Sequence, residues 1–258
     1  MLALMYFSPT RTTKKIVSAV GKVFFEKMLS KMRPIDVTPL AARLREYIFS
    51  EDDVLVFGAP VYGGRVPVLL RDLFENLQGN GARAIALCVY GNRDYDDALL
   101  EMCDLLSSRG FTVCAAAAFI GEHSYTDKVG SFRPDKEDLL AADEFARAAF
   151  EKVAAGLPVR KQVRGHRPYK ELSPSLLTPK KAPVVSEEKC THCGACVSVC
   201  PVCNLSADLK DLGRCIGCAA CVRFCPAGAR EFCDEGIAAA KARLEANCTA
   251  RRNPEFFL

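Results

Sequence analysis

Two cysteine runs limit what this chain can become more than any other feature. Cys190, Cys193, Cys196 and Cys200 precede Pro201, and Cys215, Cys218, Cys221 and Cys225 precede Pro226, so one CxxCxxCxxxCP pattern occurs twice, 25 residues apart. Three cysteines spaced by two residues let a short loop wrap its thiolates around one iron-sulfur cube, while the fourth opens the following helix and points to the neighbouring cube. The repeat therefore assigns Cys190, Cys193, Cys196 and Cys225 to one 4Fe-4S cluster, and Cys215, Cys218, Cys221 and Cys200 to a second. Zinc can also be held by four cysteines, but its ligand pairs are normally separated by a long spacer, and the triplet spacing favours iron-sulfur. Gly194 with Ala195, and Gly217 with Ala219 and Ala220, suit loops whose N–H groups must come close to sulfur. Cys203 and Cys233 fit no ligand slot and read as small buried hydrophobes, and His192 reads as a solvent-facing loop residue.

The cysteine runs occupy only the C-terminal third of the 258 residues, a length that predicts two domains. A composition that is 50% hydrophobic and 26% charged is that of a globular chain. The first residues, MLALMYFSPT, lack the basic segment and cleavage site of a secretory leader, so a cytoplasmic location is expected and the fourteen cysteines read as metal ligands or core thiols. Apolar stretches such as 113–120 are too short for a membrane span.

Within residues 1–157, apolar runs at 2–7, 34–37, 53–58, 84–90 and 111–120 alternate with amphipathic stretches at 12–29, 40–49, 68–76, 96–108 and 135–155. Strands in strict alternation with helices predict an α/β, doubly wound, five-stranded parallel sheet. Residues 158–183 contain five prolines, seven Lys or Arg and one acidic residue, which predicts a linker or extended strap. Its local surplus of positive charge fits a strap lying on the protein's own acidic surface, and with no aromatic interleaving beyond Tyr169 no nucleic-acid partner is expected. Residues 184–235 then form the cluster domain, and 236–258 a terminal helix and a tail whose Phe256 and Phe257 are packing anchors.

Open α/β sheets bind ligands at the carboxyl ends of their strands. There the first strand is followed by Ser8-Pro9-Thr10-Arg11-Thr12-Thr13, a hydroxyl-rich run opening a helix and suited to a phosphate. The third is followed by Ala59-Pro60-Val61-Tyr62-Gly63-Gly64 and the fourth by Tyr90-Gly91-Asn92-Arg93-Asp94-Tyr95-Asp96. Glycine permits close backbone approach and tyrosine a stacking face, so the three loops outline a mononucleotide pocket. The loop after the fifth strand, with His123 and Tyr125 as candidate contacts, is placed to cover a ligand or meet the cluster domain.

The C-terminal part resembles bacterial ferredoxins with two 4Fe-4S clusters, and the first part resembles flavodoxins. Taken together the chain resembles the flavodoxin-ferredoxin fusion proteins sometimes called the ferrodoxin family. The resemblance implies a flavodoxin-like sheet joined to a small α+β ferredoxin-like domain, with FMN and two 4Fe-4S clusters as cofactors. By that likeness Ser8, Thr10, Thr12 and Thr13 hold the FMN phosphate, with Arg11, which departs from the glycine usual there, assisting. Tyr62 and Tyr95 flank the isoalloxazine and the backbone at Gly63 and Gly64 faces its N5. The implied function is an electron shuttle between FMN, the clusters and a redox-protein donor and acceptor. An FMN-dependent reductase of a small acceptor or NAD(P)H is the alternative, disfavoured by the lack of a GxGxxG fingerprint. A binding module with structural clusters rests only on the basic strap. No Ser/His/Asp set, P-loop or paired carboxylates stand out.

Overall fold

The computed structural model describes residues 1–28 and 31–258. In chain order its first elements are β1 (Leu2–Tyr6), α1 (Thr12–Met28), β2 (Met32–Asp36), α2 (Leu40–Arg43), β3 (Tyr47–Ile48), β4 (Val54–Pro60), α3 (Arg71–Glu75), β5 (Leu77–Gln78), β6 (Arg83–Tyr90), α4 (Ala98–Ser108), β7 (Thr112–Ile120) and α5 (Lys136–Ala154). There follow α6 (Pro174–Leu177), β8 (Val184–Val185), α7 (Ala195–Ser198), α8 (Ala220–Arg223), β9 (Arg230–Glu231), α9 (Glu235–Asn247) and β10 (Glu255–Phe257).

The main sheet runs in the order β10-β7-β6-β4-β1-β2. Its five strands from the first part of the chain are all parallel and stand in the doubly wound order that places a ligand crevice where the winding reverses, between β1 and β4. β1, β4, β6 and β7 read as near-continuous apolar runs because they are buried on both faces. On one face α1 and α5 cover them with Ile16, Val20, Phe24, Phe145 and Ala149. Leu73, Phe74, Leu99, Met102 and Leu106 of α3 and α4 cover the other.

The doubly wound α/β class follows from the alternation, but two elements differ from expectation. The stretch 40–49 is helical only over Leu40–Arg43; Tyr47–Ile48 pairs in parallel with Leu77–Gln78. There Phe49 packs edge-on against Phe111 at 5.3 Å, and burial of Tyr47 and Phe49 on one side, with Ile48 exposed on the other, outweighs the helical spacing. The sheet has a sixth strand, because Glu255–Phe257 returns from the C-terminus to pair antiparallel with Ala116–Ala118. Its Phe256 ring packs on Phe119 and Phe145 at 5.7 and 5.1 Å. The first helix is formed over Thr12–Met28; its expected end at Leu29 lies outside the described residues.

The strap follows the acidic surface of α4 and the loop before it. Arg167 pairs with Asp104 at 2.5 Å, Arg164 with Asp94 at 2.6 Å and Lys170 with Asp96 at 3.1 Å. Asp97, nearly buried, accepts from the backbone N–H of His166 and Lys170 at 2.8 and 2.7 Å. Exposed ion pairs contribute under about 1 kcal/mol each, so the backbone bonds to Asp97 are the stronger anchor. Among the described residues no helix is long and apolar enough to cross a membrane.

Candidate functional site

The carboxyl ends of β1, β4, β6 and β7 open onto one cavity of about 430 Å³, within the size range of small-molecule sites. After β1 the wall is made by Ser8, Thr10, Thr12 and Thr13. Ser8 N–H donates to Thr38 Oγ1 at 2.9 Å and Ser8 Oγ accepts from Lys14 N–H at 3.0 Å, which fixes the loop onto the start of α1. No acidic residue occupies the first turn of α1, so the positive end of its dipole is uncompensated beside the cavity. Thr13 Oγ1 is buried without a hydrogen-bond partner among the described residues. An orphaned hydroxyl costs roughly 1–3 kcal/mol, and an anion accepting at this helix end would satisfy it.

Pro60, Val61, Tyr62 and Gly63 line the cavity after β4, Tyr90 and Gly91 after β6, and the segment from Gly121 to Tyr125 after β7. Gly91 is required there, since a Cβ would stand 2.3 Å from His123 Cδ2. His123 Nδ1 accepts from Tyr125 N–H at 3.1 Å, and burial lowers its pKa to about 4, so the ring is neutral at pH 7.

The opposite wall comes from the rest of the chain. The strap contributes Leu172, Leu176 and Lys180, and the second cysteine loop contributes Arg214, Cys215, Ile216, Gly217 and Cys218. Leu176 sits where a Cβ on Gly63 would be, and Lys180 N–H donates to the Cys215 carbonyl at 2.7 Å. Gly217, at φ +68°, lets the Tyr125 hydroxyl come within 3.0 Å of the place its Cβ would take. The Tyr125 ring packs edge-on against Phe232 at 5.6 Å. One cavity is thus walled by hydroxyl and tyrosine loops on one side and by two cysteines of the repeat on the other.

The eight cysteines of the repeat stand around two smaller cavities. Cys190, Cys193, Cys196 and Cys225 line one; Cys200, Cys215, Cys218 and Cys221 line the other. Among the described residues no three His, Cys, Asp or Glu side chains converge as a single metal ion needs. The backbone supplies sulfur ligands' customary donors: Asn204 N–H to Cys200 at 3.2 Å, Ala229 N–H to Cys225 at 3.1 Å and Gly217 N–H to Cys215 at 3.4 Å. Burial pushes the Cys218 and Cys221 thiols up to about 12. In both loops the residues flanking the second cysteine are left-handed: His192 and Gly194 at φ 53° and 72°, Gly217 and Ala219 at 68° and 63°.

Five residues expected at the nucleotide pocket lie outside it. Arg11 turns away at φ 68° and its guanidinium stacks on Phe224 at 4.2 Å, so it joins the two parts of the chain and does not face the cavity. Gly64 packs against Asp96, where a Cβ would lie 2.1 Å from a carboxylate oxygen. Asn92 Nδ2 donates to the carbonyls of Cys248 and Ala250 at 2.6 and 2.8 Å, and Arg93 pairs with Asp96. Tyr95 is fully buried, its hydroxyl donating to Glu255 at 2.7 Å and its ring lying 4.0 Å beneath the Arg164 guanidinium. Arg11, Asn92 and Tyr95 are claimed by the cysteine domain, the tail and the strap, partners that a strand-by-strand reading does not supply, while Gly64 and Arg93 are taken up by Asp96 of the loop before α4; Cys203 and Cys233, expected to be buried, are exposed. The strap and cysteine-loop wall was missed for the same reason; its only advance signal was Leu172, Leu176 and Leu177 in an otherwise polar strap.

Residues 183–202 and 209–231 match the family described as 4Fe-4S binding domain. That match covers the cysteine part alone, and the sheet before it has the flavodoxin-like strand order 2-1-3-4-5. A redox role follows from that domain, and iron-sulfur is its cofactor class. No curated protein matches the chain. Among solved structures it is similar to a flavodoxin from the domain Archaea, at 17% identity and a TM-score of 0.43 over 60% of this chain and 99% of that one. Flavodoxin 2 from Bacillus cereus is similar at 17% identity and TM-score 0.43, over 58% of this chain and 98% of that one. An NADH:FMN oxidoreductase in its apo form is similar at 19% identity and TM-score 0.45, over 60% and 89%.

Proposed function

We propose that the protein is an electron-transfer shuttle, with FMN in the large cavity, two 4Fe-4S clusters on the two cysteine sets, and redox proteins as donor and acceptor. The observation that carries this reading is the shared wall: the cavity of the strand-end loops is also lined by Cys215 and Cys218. FMN exchanges electrons in pairs or singly and a cluster takes one at a time, so a chain holding both converts one current into the other. Holding them in one molecule gives each a high effective concentration at the other.

In this reading residues 1–157 hold the flavin and 184–235 the clusters, tied together by 158–183 and 236–258. The phosphate is held by Ser8, Thr10, Thr12 and the orphaned Thr13 hydroxyl at the start of α1. Tyr62, Tyr90 and Tyr125 bound the ring, the backbone at Gly63 approaches it closely, and Leu172 and Leu176 keep water from that side. The cysteine set containing Cys215 and Cys218 is the inner one. Cys193 of the other set is exposed, which supports an outlet to a partner there.

Oxygen-free purification is expected to yield about eight iron and eight sulfide per chain, with one FMN released on denaturation. Light-driven reduction of the flavin should then bleach the cluster absorbance at a rate independent of protein concentration. Zinc in place of iron, material without flavin, or flavin and clusters that never exchange electrons would overturn the proposal.

A further inference from the structure

The two cysteine loops are copies offset by 25 residues, so their surroundings can be compared position by position. Five residues beyond the last cysteine of each copy stand Leu205 and Arg230, both 5% exposed. Leu205 lines the cavity of Cys200, Cys215, Cys218 and Cys221; Arg230 lines that of Cys190, Cys193, Cys196 and Cys225. The ligand frames match, and at this place one has an aliphatic side chain and the other a full charge.

Arg230 is held firmly, and none of its hydrogen-bond partners is a carboxylate. From β9 its Nη1 donates to the Pro183 carbonyl at 2.8 Å, and its Nη2 to the Leu209 carbonyl at 3.3 Å and to Cys196 Sγ at 3.5 Å, while Nε is buried with no partner. The carboxylate whose titration it influences, Asp211, already accepts from Ala182 N–H, Gly213 N–H and Asn204 Nδ2. A buried cation with no carboxylate in direct contact is costly in a protein core. A four-thiolate cluster carries negative charge and would supply the missing partner beside Cys196.

We infer that Arg230 is a positioned counter-charge that sets the reduction potential of the cluster on Cys190, Cys193, Cys196 and Cys225 above that of its twin. A cation next to a centre that gains negative charge on reduction stabilises the reduced form. The inner cluster, with Leu205 in the equivalent place, feels Arg230 through Cys221 and Lys180 through Cys215, but among the described residues no cation is in hydrogen-bond contact with its sulfurs, as Arg230 is with Cys196. One electron then leaves the inner cluster and reduces the outer one, with no bond made and no proton moved, and the gradient points away from the large cavity toward exposed Cys193. This inference rests on the two-cluster reading above.

The test is an anaerobic redox titration of the loaded full-length protein, followed by electron paramagnetic resonance so that the two one-electron waves are resolved. Arg230→Gln is expected to lower one wave by at least a tenfold change in its reduction equilibrium, about 59 mV for one electron, and to move the other less. Arg230→Lys, which keeps the charge, is expected to leave both waves within that margin. If Arg230→Gln loses iron, Arg230→Lys decides alone: full iron with unshifted waves supports the inference. Fully loaded Arg230→Gln with neither wave moved, with both moved equally, or with one moved upward overturns it, as does Arg230→Lys that shifts as far as Gln or loses iron. Wild-type protein without iron would instead remove the shuttle reading itself, so the two failures are distinguishable.

Discussion

The Thr13 hydroxyl has no partner among the described residues, and a group so placed is informative when replaced by its isostere. Thr13→Val is expected to weaken FMN binding by about tenfold or more, since hydrogen bonds to charged groups contribute roughly 1.5–3 kcal/mol; quenching of flavin fluorescence on titration with flavin-free protein measures it. Tyr95→Phe should leave that affinity unchanged and lower stability by about 1 kcal/mol, the net value of an ordinary hydrogen bond, because its hydroxyl serves Glu255 and not the cavity. Equal losses of flavin affinity in the two variants would return Tyr95 to the binding site. The contrast shows what single residues reveal in sequence. Ser8, Thr10, Thr12 and Thr13 are local to a strand-helix turn, so their joint place on the cavity wall could be read from spacing. Tyr95 sits in an Asp-Tyr-Asp run that looks like surface loop, and its burial depends on Glu255, 160 residues further on. Ala219 makes a smaller point: it holds φ 63° where its counterpart is Gly194. Relief of left-handed strain amounts to roughly 1–2 kcal/mol, so Ala219→Gly is expected to raise the urea midpoint of the loaded protein.

At the scale of elements, the segment after β7 combines a cavity wall with a proton-sensitive group. His123 has its pKa lowered by burial from 6.5 to about 4. As pH falls through that interval the unfolded chain takes up the proton before the folded one does, so stability declines from about pH 6.5 down to about 4 and this group costs nothing further below it. His123→Gln should flatten the dependence of the urea midpoint on pH between about 7 and 5; an unchanged slope would show that other groups dominate. The central elements, β1, β4, β6 and β7, were legible because strands buried on both faces are written as apolar runs. The margins were not. β3 forms because Tyr47 and Phe49 find a core built by Leu77 and Phe111, and β10 forms because Phe256 and Phe257 reach a row of alanines on β7. Each depends on a surface that exists only once distant segments have met, and neither leaves a periodic trace in its own residues.

At the scale of the whole molecule, the cysteine domain is fastened to the sheet by specific contacts along one seam. Buried Arg43 of α2 donates to the Pro201 carbonyl, next to Cys200, at 2.6 Å, while Arg223 of α8 pairs with Glu122 and Arg11 stacks on Phe224. Arg43→Met is expected to weaken this seam by about 1.5–3 kcal/mol, seen as faster hydrogen exchange around Pro201 and slower flavin-to-cluster transfer at unchanged iron and flavin content. The terminal strand adds a second fastening. Because the strap enters the cysteine domain from one side and β10 returns from the other to complete the sheet, the inserted domain is stapled at both ends. Severing the strap would leave two fragments still knitted through the β7 edge, while expressing residues 1–157 alone would leave a bare, alanine-lined border open to any passing strand.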